Sequence, residues 1–417
     1  MENVTHALAG ALVAEIALGL RHRRAPTSAT LARHAYAVSA IANNVPDADI
    51  LYDTILTKGK LGYLLHHRGY THTAVVGVAL GLLVAGAIIA LARVRNRAFS
   101  ASEERFLLGL GALGPLVHVS MDGWNNYGVH PLWPFYDGWL YGDTIFIVEP
   151  LLYVVAIPPL IMLRRARWWR GLLGLLLVAM LALVWLVPRV VPLPLRISLT
   201  VVAFVTGAAA FALSRRSGLW PNRLLAVGGW AFVVVTFATT SAMARARVHA
   251  RVAAEDPASR LVDVALTPMP ANPLCYYAVA IGESGGDVIL QYSVVAPIPA
   301  LRDASACPAP FEHTTAPRLP PEAPADPGTR PLGTFRGSVA ELRELARRCD
   351  VGAALRFMRA PFWVERNGQL IVGDARFDRD EEIDFAEVVM PPDSAGVTCP
   401  RNVPPWTPPR RDILDGP

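Results

Sequence analysis

The chain has 417 residues, 53% of them hydrophobic and 18% charged, with a mean hydropathy of +0.34 and a formal net charge of +5. Soluble domains carry about 25% charge, so the composition excludes an ordinary soluble protein over the whole length. The positive charge is mostly arginine set between apolar runs, which speaks to membrane topology and not to nucleic acid, and no nucleic-acid partner is expected.

A membrane helix needs about 20 mostly apolar residues. In chain order, the runs that meet or approach this are 4–20, 31–45, 73–92, 105–120, 145–163, 171–187, 197–213 and 224–243. The first, second and fourth are weaker, being short or polar at one end. The expected architecture is an all-α polytopic membrane domain of about eight spans over residues 1–250, followed by a smaller α+β soluble domain over 251–417.

The arginines occupy alternate loops. Arg21, Arg23, Arg24 and Arg33 lie between the first two runs, and Arg93, Arg95, Arg97 and Arg105 between the third and fourth. Arg164, Arg165, Arg167 and Arg170 follow the fifth, and Arg215, Arg216 and Arg223 the seventh. The positive-inside rule places these loops in the cytoplasm and the loops 46–72, 121–144 and 188–196 outside, with the C-terminal domain. The run Arg245-Ala-Arg247-Val-His249-Ala-Arg251 runs against this pattern.

That topology gathers the chemistry-bearing residues on one side. His6 opens the first run, and Pro46-Asp47-Ala48-Asp49 follows the second. His66, His67 and His72 precede the third, His118 and Asp122 end the fourth, and Asp143 and Glu149 border the fifth. His118 and Asp122 share one helix face one turn apart, a spacing that suits two ligands of one metal. A Pro-Asp-x-Asp turn can aim both carboxylates at one cavity, and Gly69 allows a turn that folds His67 and His72 together. Imidazole with carboxylate suits zinc, manganese, iron or nickel. Singly, each piece has a plainer reading: a cap, a solvated turn, a chance pair. Ionisable groups at membrane-helix ends are costly, and their joint convergence is what points to a site. His22, His34, His130, His249 and His313 do not fit the cluster.

The loop 121–144 is dense in aromatics, including Trp124, Tyr127, Trp133, Tyr136, Trp139 and Tyr141. It reads as an interfacial belt, with a lid over the site as the functional alternative. In the C-terminal part, strand-like runs are expected at 260–266, 275–281, 287–295 and 369–373, a helix at 338–349, and a proline-rich loop at 307–332. The acidic run from Asp378 to Asp384 reads as a solvated turn. Cys275, Cys307, Cys349 and Cys399 lack C-x-x-C spacing and suit two disulfides outside the cytoplasm, with three pairings open.

Thr5-His6-Ala7-Leu8-Ala9-Gly10, Pro46-Asp47-Ala48-Asp49, His67-Arg68-Gly69-Tyr70-Thr71-His72-Thr73 and His118-Val119-Ser120-Met121-Asp122 resemble the motifs of the bacterial membrane-bound metal-dependent hydrolases. The resemblance covers residues 1–150. That family is distantly similar to zinc-dependent phospholipases C and single-strand nucleases, helical enzymes with multi-zinc sites that cleave phosphodiesters. It implies His6, Asp49, His67, His72, His118 and Asp122 as ligands of a divalent metal, zinc first, with two or three ions. The relatives also use a free N-terminal amine, a ligand not carried over to this chain, which begins Met1-Glu2-Asn3. A metal lowers the pKa of bound water toward about 7 and makes a nucleophile. Arg68 is then a phosphate clamp, and Asp47 a general base or an orienting carboxylate.

The function expected is metal-dependent hydrolysis of a phosphodiester or phospholipid-type substrate in a lipid or envelope component, at the outer face of the bacterial inner membrane. The rivals are a transporter, whose site would sit nearer the bilayer midplane, and a non-catalytic scaffold with a closed structural metal.

Overall fold

The computed structural model describes residues 1–57, 59–164, 166–188, 190–216, 219–308, 314–321, 324–378, 382–391 and 397–416. Eight long helices stand where the eight apolar runs were read: α1 (Asn3–His22), α2 (Ala29–Ala42), α5 (Ala74–Val94), α6 (Ala101–Asp122), α7 (Pro150–Leu163), α8 (Arg167–Leu186), α9 (Leu193–Arg216) and α10 (Trp220–Glu255). Between α2 and α5 lie a 3₁₀ turn over Val45–Leu51 and two short helices, α3 (Asp53–Leu56) and α4 (Lys60–His66).

Five of the eight, α1, α5, α8, α9 and α10, are long and apolar enough to cross a membrane. About five spans are therefore supported, and the count of eight is not confirmed. Helices α2 and α7 have 14 residues each, short of the roughly 20 a bilayer requires. Helix α6 has the length, but Glu103, Glu104, His118 and Asp122 dilute its apolar character. Helices α8 and α9 turn most of their side chains outward. Leu175, Leu186, Phe204 and Val205 are all more than 60% exposed, as lipid-facing residues are.

The bundle around α1, α2, α5 and α6 is close-packed because small residues sit at the crossings. A Cβ on Gly10 would lie 2.7 Å from the Ser39 carbonyl oxygen of α2, and one on Gly114 would lie 2.7 Å from the Ala42 Cβ. Ser39 itself donates to the Gly10 carbonyl at 2.8 Å.

Helix α10 has 36 residues, about 54 Å at 1.5 Å per residue, and outruns a bilayer. Its last turns carry the arginines that run against the topology pattern. Arg245 donates to the Val264 carbonyl and Arg247 to the Pro297 carbonyl, while Arg251 pairs with Glu255. Arg245 and Arg247 thus dock the second half of the chain, while Arg251 pairs within α10.

That half holds two antiparallel sheets. The first runs in order β1 (Arg260–Met269), β2 (Asn272–Ser284), β3 (Asp287–Val295), β4 (Thr329–Ser338). Helices α11 (Val339–Ala346) and α12 (Cys349–Ala354) follow, then the second sheet, β5 (Pro361–Arg366), β6 (Gln369–Asp374) and β7 (Glu387–Met390), and a last turn, α13 (Arg411–Leu414). Strand β2 is buried on both faces, and its two-residue period sorts its side chains. Cys275, Tyr277, Val279 and Ile281 enter the core of the C-terminal half, whereas Tyr276, Ala278 and Ala280 join the core shared with the helices. Tyr276 hydrogen-bonds the Phe237 carbonyl of α10 at 3.1 Å.

The expected strands at 260–266, 275–281, 287–295 and 369–373 are β1, β2, β3 and β6. Strands β4, β5 and β7 were not expected, and β4 takes over the end of the proline-rich stretch. The disulfides are Cys275–Cys307 and Cys349–Cys399. The acidic run is no solvated turn at its start, because Asp378 is buried and accepts from the Thr315 and Ala316 backbone amides at 2.8 and 3.1 Å. Residues 379–381 of that run, and His313, lie outside the described residues.

Candidate metal centre

The site forms at one end of the helix bundle. The 3₁₀ turn after α2 carries Asp47 and Asp49. The segment from α4 to α5 carries His67, Arg68 and His72, with Arg68 in the left-handed region at φ +59° and Gly69 after it. Three contacts hold this turn: the Arg68 amide donates to Asp49 Oδ2 at 2.9 Å, the Thr71 hydroxyl to the same oxygen at 3.1 Å, and Val76 N to the Thr73 cap of α5. The C-terminal end of α6 brings His118 and Asp122.

Among the described residues, Asp47, His72, His118 and Asp122 form one group whose ligand atoms all lie within 4.8 Å of one another. The two Nε2 atoms of His72 and His118 stand 3.0 Å apart. Asp47 Oδ1 is 3.3 Å from the first and 3.4 Å from the second, and Asp122 Oδ2 is 3.2 and 3.4 Å from them. The outer nitrogens decide what these inner ones are. His118 Nδ1 is 2.7 Å from the Asn43 carbonyl, which only accepts, and His72 Nδ1 is 3.2 Å from the Asp49 carboxylate. Each Nδ1 is placed to donate to that acceptor, which leaves Nε2 to face inward as a lone pair. Two lone pairs and two carboxylates then face one another in a buried pocket, an arrangement that fits a divalent cation. Imidazole with carboxylate is a donor set that zinc accepts, among other metals.

The other expected residues take distinct places. His6 is fully buried, stacks on the His118 ring at 3.7 Å and has Nε2 3.2 Å from Asp122 Oδ1, at the edge of the group. Asp49 stands behind the histidines, with Oδ1 3.2 Å from His67 Nδ1 and Oδ2 toward His72 Nδ1. The roles expected for the two aspartates are thus exchanged: Asp47 faces the group, and Asp49 orients it. His67 lies outside the group, stacked on Tyr63 at 4.8 Å. Arg68 is buried, with Nε 3.1 Å from Asp122 Oδ2, Nη1 donating to Asn125 at 2.9 Å and the guanidinium 4.7 Å over the Tyr127 ring. Asp143 and Glu149 serve elsewhere. Asp143 pairs with Arg359 and Arg245, and Glu149 accepts from the Ala271 amide.

Electrostatics agree with this division. Burial opposes ionisation of Asp49. The His67 and His72 imidazoles, which face it through Nδ1, outweigh this and hold its carboxyl well below the usual range. Burial lowers the His67 pKa against the pull of Asp49.

Sequence reasoning missed Asn43, Thr71 and Asn125, which position His118, Asp49 and Arg68. Only Thr71 lay inside a motif. The Met1 amino group also contacts Asp122. His66 bonds Thr57 at 3.0 Å, and His130 stacks on Trp406 at 4.0 Å, both away from the group.

The C-terminal half closes over this end of the bundle. Arg376 donates to the Asn126 and Tyr127 carbonyls, Trp139 Nε1 to the Arg356 carbonyl and Trp406 Nε1 to the Leu65 carbonyl. The aromatic loop is therefore largely packed against protein.

No curated protein and no solved structure matches the chain. The helical region that carries the whole cluster is similar to an inner-membrane protein family, for residues 1–192 match the model of the YdjM inner membrane protein family.

Proposed function

We propose that this membrane protein is a metal-dependent hydrolase acting on a phosphodiester of a lipid or envelope component. The observation that carries the reading is the convergence of two inward Nε2 atoms and two carboxylates, with each outer imidazole nitrogen locked by an acceptor. Asp47, His72, His118 and Asp122 would hold the metal, with His6 at its edge. A metal there supplies Lewis acidity and lowers the pKa of water toward about 7.

The chain's own residues supply the rest. Arg68, held by Asp122 through Nε and by Asn125 through Nη1, offers Nη2 and its positive charge to the phosphate. Asp49 fixes the His72 tautomer and the His67 ring. His67, with Nδ1 held by Asp49, accepts a proton at Nε2 from the attacking water and passes it to the leaving oxygen as water adds to phosphorus and one P–O ester bond breaks. The two disulfides suit an oxidising compartment, which supports placing the C-terminal half, and the site it covers, on the outer side.

The test is the metal content of detergent-purified protein, together with hydrolysis of bis(p-nitrophenyl) phosphate. The reading expects bound metal and turnover in the wild type, and loss of both in His118→Ala with Asp122→Ala. Metal-free wild type after purification with zinc or manganese supplied would sink it in favour of a scaffold.

A further inference from the structure

A cavity of about 320 Å³ lies against the cluster, walled at one end by His67, Arg68 and Asn125. The rest of its wall is mostly apolar and comes from both halves of the chain: Ile145, Phe146 and Ile147 ahead of α7, and Pro268, Phe377 and Phe385 from the C-terminal half. The Phe385 ring lies parallel to Tyr127 of the aromatic loop at 6.3 Å and edge-on to Phe377 at 4.7 Å. Ile147 is 41% exposed and stands three residues ahead of α7, an apolar helix. Thr267 and Arg376 also line the cavity, so the wall joins a cationic and imidazole end at the cluster to a mostly apolar remainder that reaches Ile147, just ahead of α7.

We infer that the C-terminal half is one side of a binding chamber for a single-chain amphiphile. Its phosphate meets Arg68, and its chain runs between Ile147 and the Phe377–Phe385 pair. The placement of the phosphate rests on the hydrolase reading above, but the chain site does not. A volume near the low end of ligand-pocket sizes suits one alkyl chain and not two. Phe385 and Ile147 then set which chains are accepted. Ile147 is exposed and can be changed with little cost to folding, while Phe385 packs on Phe377 and Tyr63, so its variant carries the folding check.

The experiment uses full-length protein in lipid nanodiscs with chelator present, and a single-chain alkylphosphocholine bearing a diazirine at the chain end. After photolysis, labelled peptides are mapped by mass spectrometry. The expected label falls on peptides containing Ile145–Ile147, Phe377 or Phe385. Phe385→Asp and Ile147→Asp each lower it about tenfold, as loss of one buried apolar contact implies, with the melting temperature confirming folding. Label confined to the lipid-facing α8 and α9, and unchanged in both variants, overturns the inference even if zinc-loaded protein cleaves bis(p-nitrophenyl) phosphate. Chamber labelling in a protein that binds no metal upholds the chamber and sinks the hydrolase reading instead.

Discussion

Asp47 and Asp49 show how much two positions in one motif can differ. In a 3₁₀ turn each residue advances about 120°, so side chains two apart leave the axis in different directions. The Val45–Leu51 turn is of this kind, and it sends Asp47 to the Nε2 side of His72 and Asp49 to the Nδ1 side. Asp47→Asn should therefore release metal outright. Asp49→Asn should keep it with affinity weakened about 10–100-fold, the usual cost of losing an orienting carboxylate; competition with a fluorescent chelator measures both. The motif was legible in the sequence, but the division of labour was not, because it depends on which side of His72 each oxygen reaches.

A second residue-scale prediction concerns pH. Burial raises the Asp378 carboxyl to about 6, against the Thr315 and Ala316 amides, and burial with the Asp378 charge raises Glu387 to about 7. Between the unfolded values near 4 and these, the folded state holds more protons than the unfolded one. Stability from this pair is full below pH 4 and falls as pH rises through 6 to 7. Thermal unfolding between pH 5 and pH 8 should show this slope, and Glu387→Gln should flatten it by a few kcal/mol at most. An unchanged slope would refute the assignment.

At the scale of elements, the site depends on how closely α2 and α6 approach. Gly114 lies one turn before His118 on α6 and packs on Ala42, next to Asn43, whose carbonyl fixes His118. A larger side chain there must push the helices apart and pull His118 off its acceptor. Gly114→Leu is expected to lower the melting temperature and the metal content together, overpacking costing about 1–3 kcal/mol. If metal content holds while stability falls, the close approach serves packing alone. Helix existence was well marked by the apolar runs. Span count was not, because 14-residue α2 and α7 are read as spans only if the runs around them are counted in.

For the whole molecule, the decisive contact is the ion network that joins the two halves. Arg359 is buried, bonding Asp143 of the aromatic loop at 2.7 and 3.0 Å and Asp263 of β1 at 2.7 and 3.0 Å. Replacing one partner of a buried ion pair costs about 3–5 kcal/mol, since the other charge stays buried. Arg359→Met should therefore destabilise the docked arrangement by that order, with faster protease cleavage ahead of β1. Arg359→Met with Asp143→Asn should recover part of the loss. Equal stability of the single variant and the wild type would show that the apolar contacts of β2 with α10 suffice.

The sequence by itself determined which segments are helical and apolar, and that the His and Asp motifs lie at the ends of those helices. Those are properties of composition, period and spacing along the chain. Only the tertiary structure decided that Asp47 faces the cluster and Asp49 stands behind it. It alone paired Cys275 with Cys307 and Cys349 with Cys399, and it closed a phenylalanine-lined wall over the site from more than 200 residues away. Each of these depends on distances between groups far apart in the chain, which packing sets and local pattern does not encode.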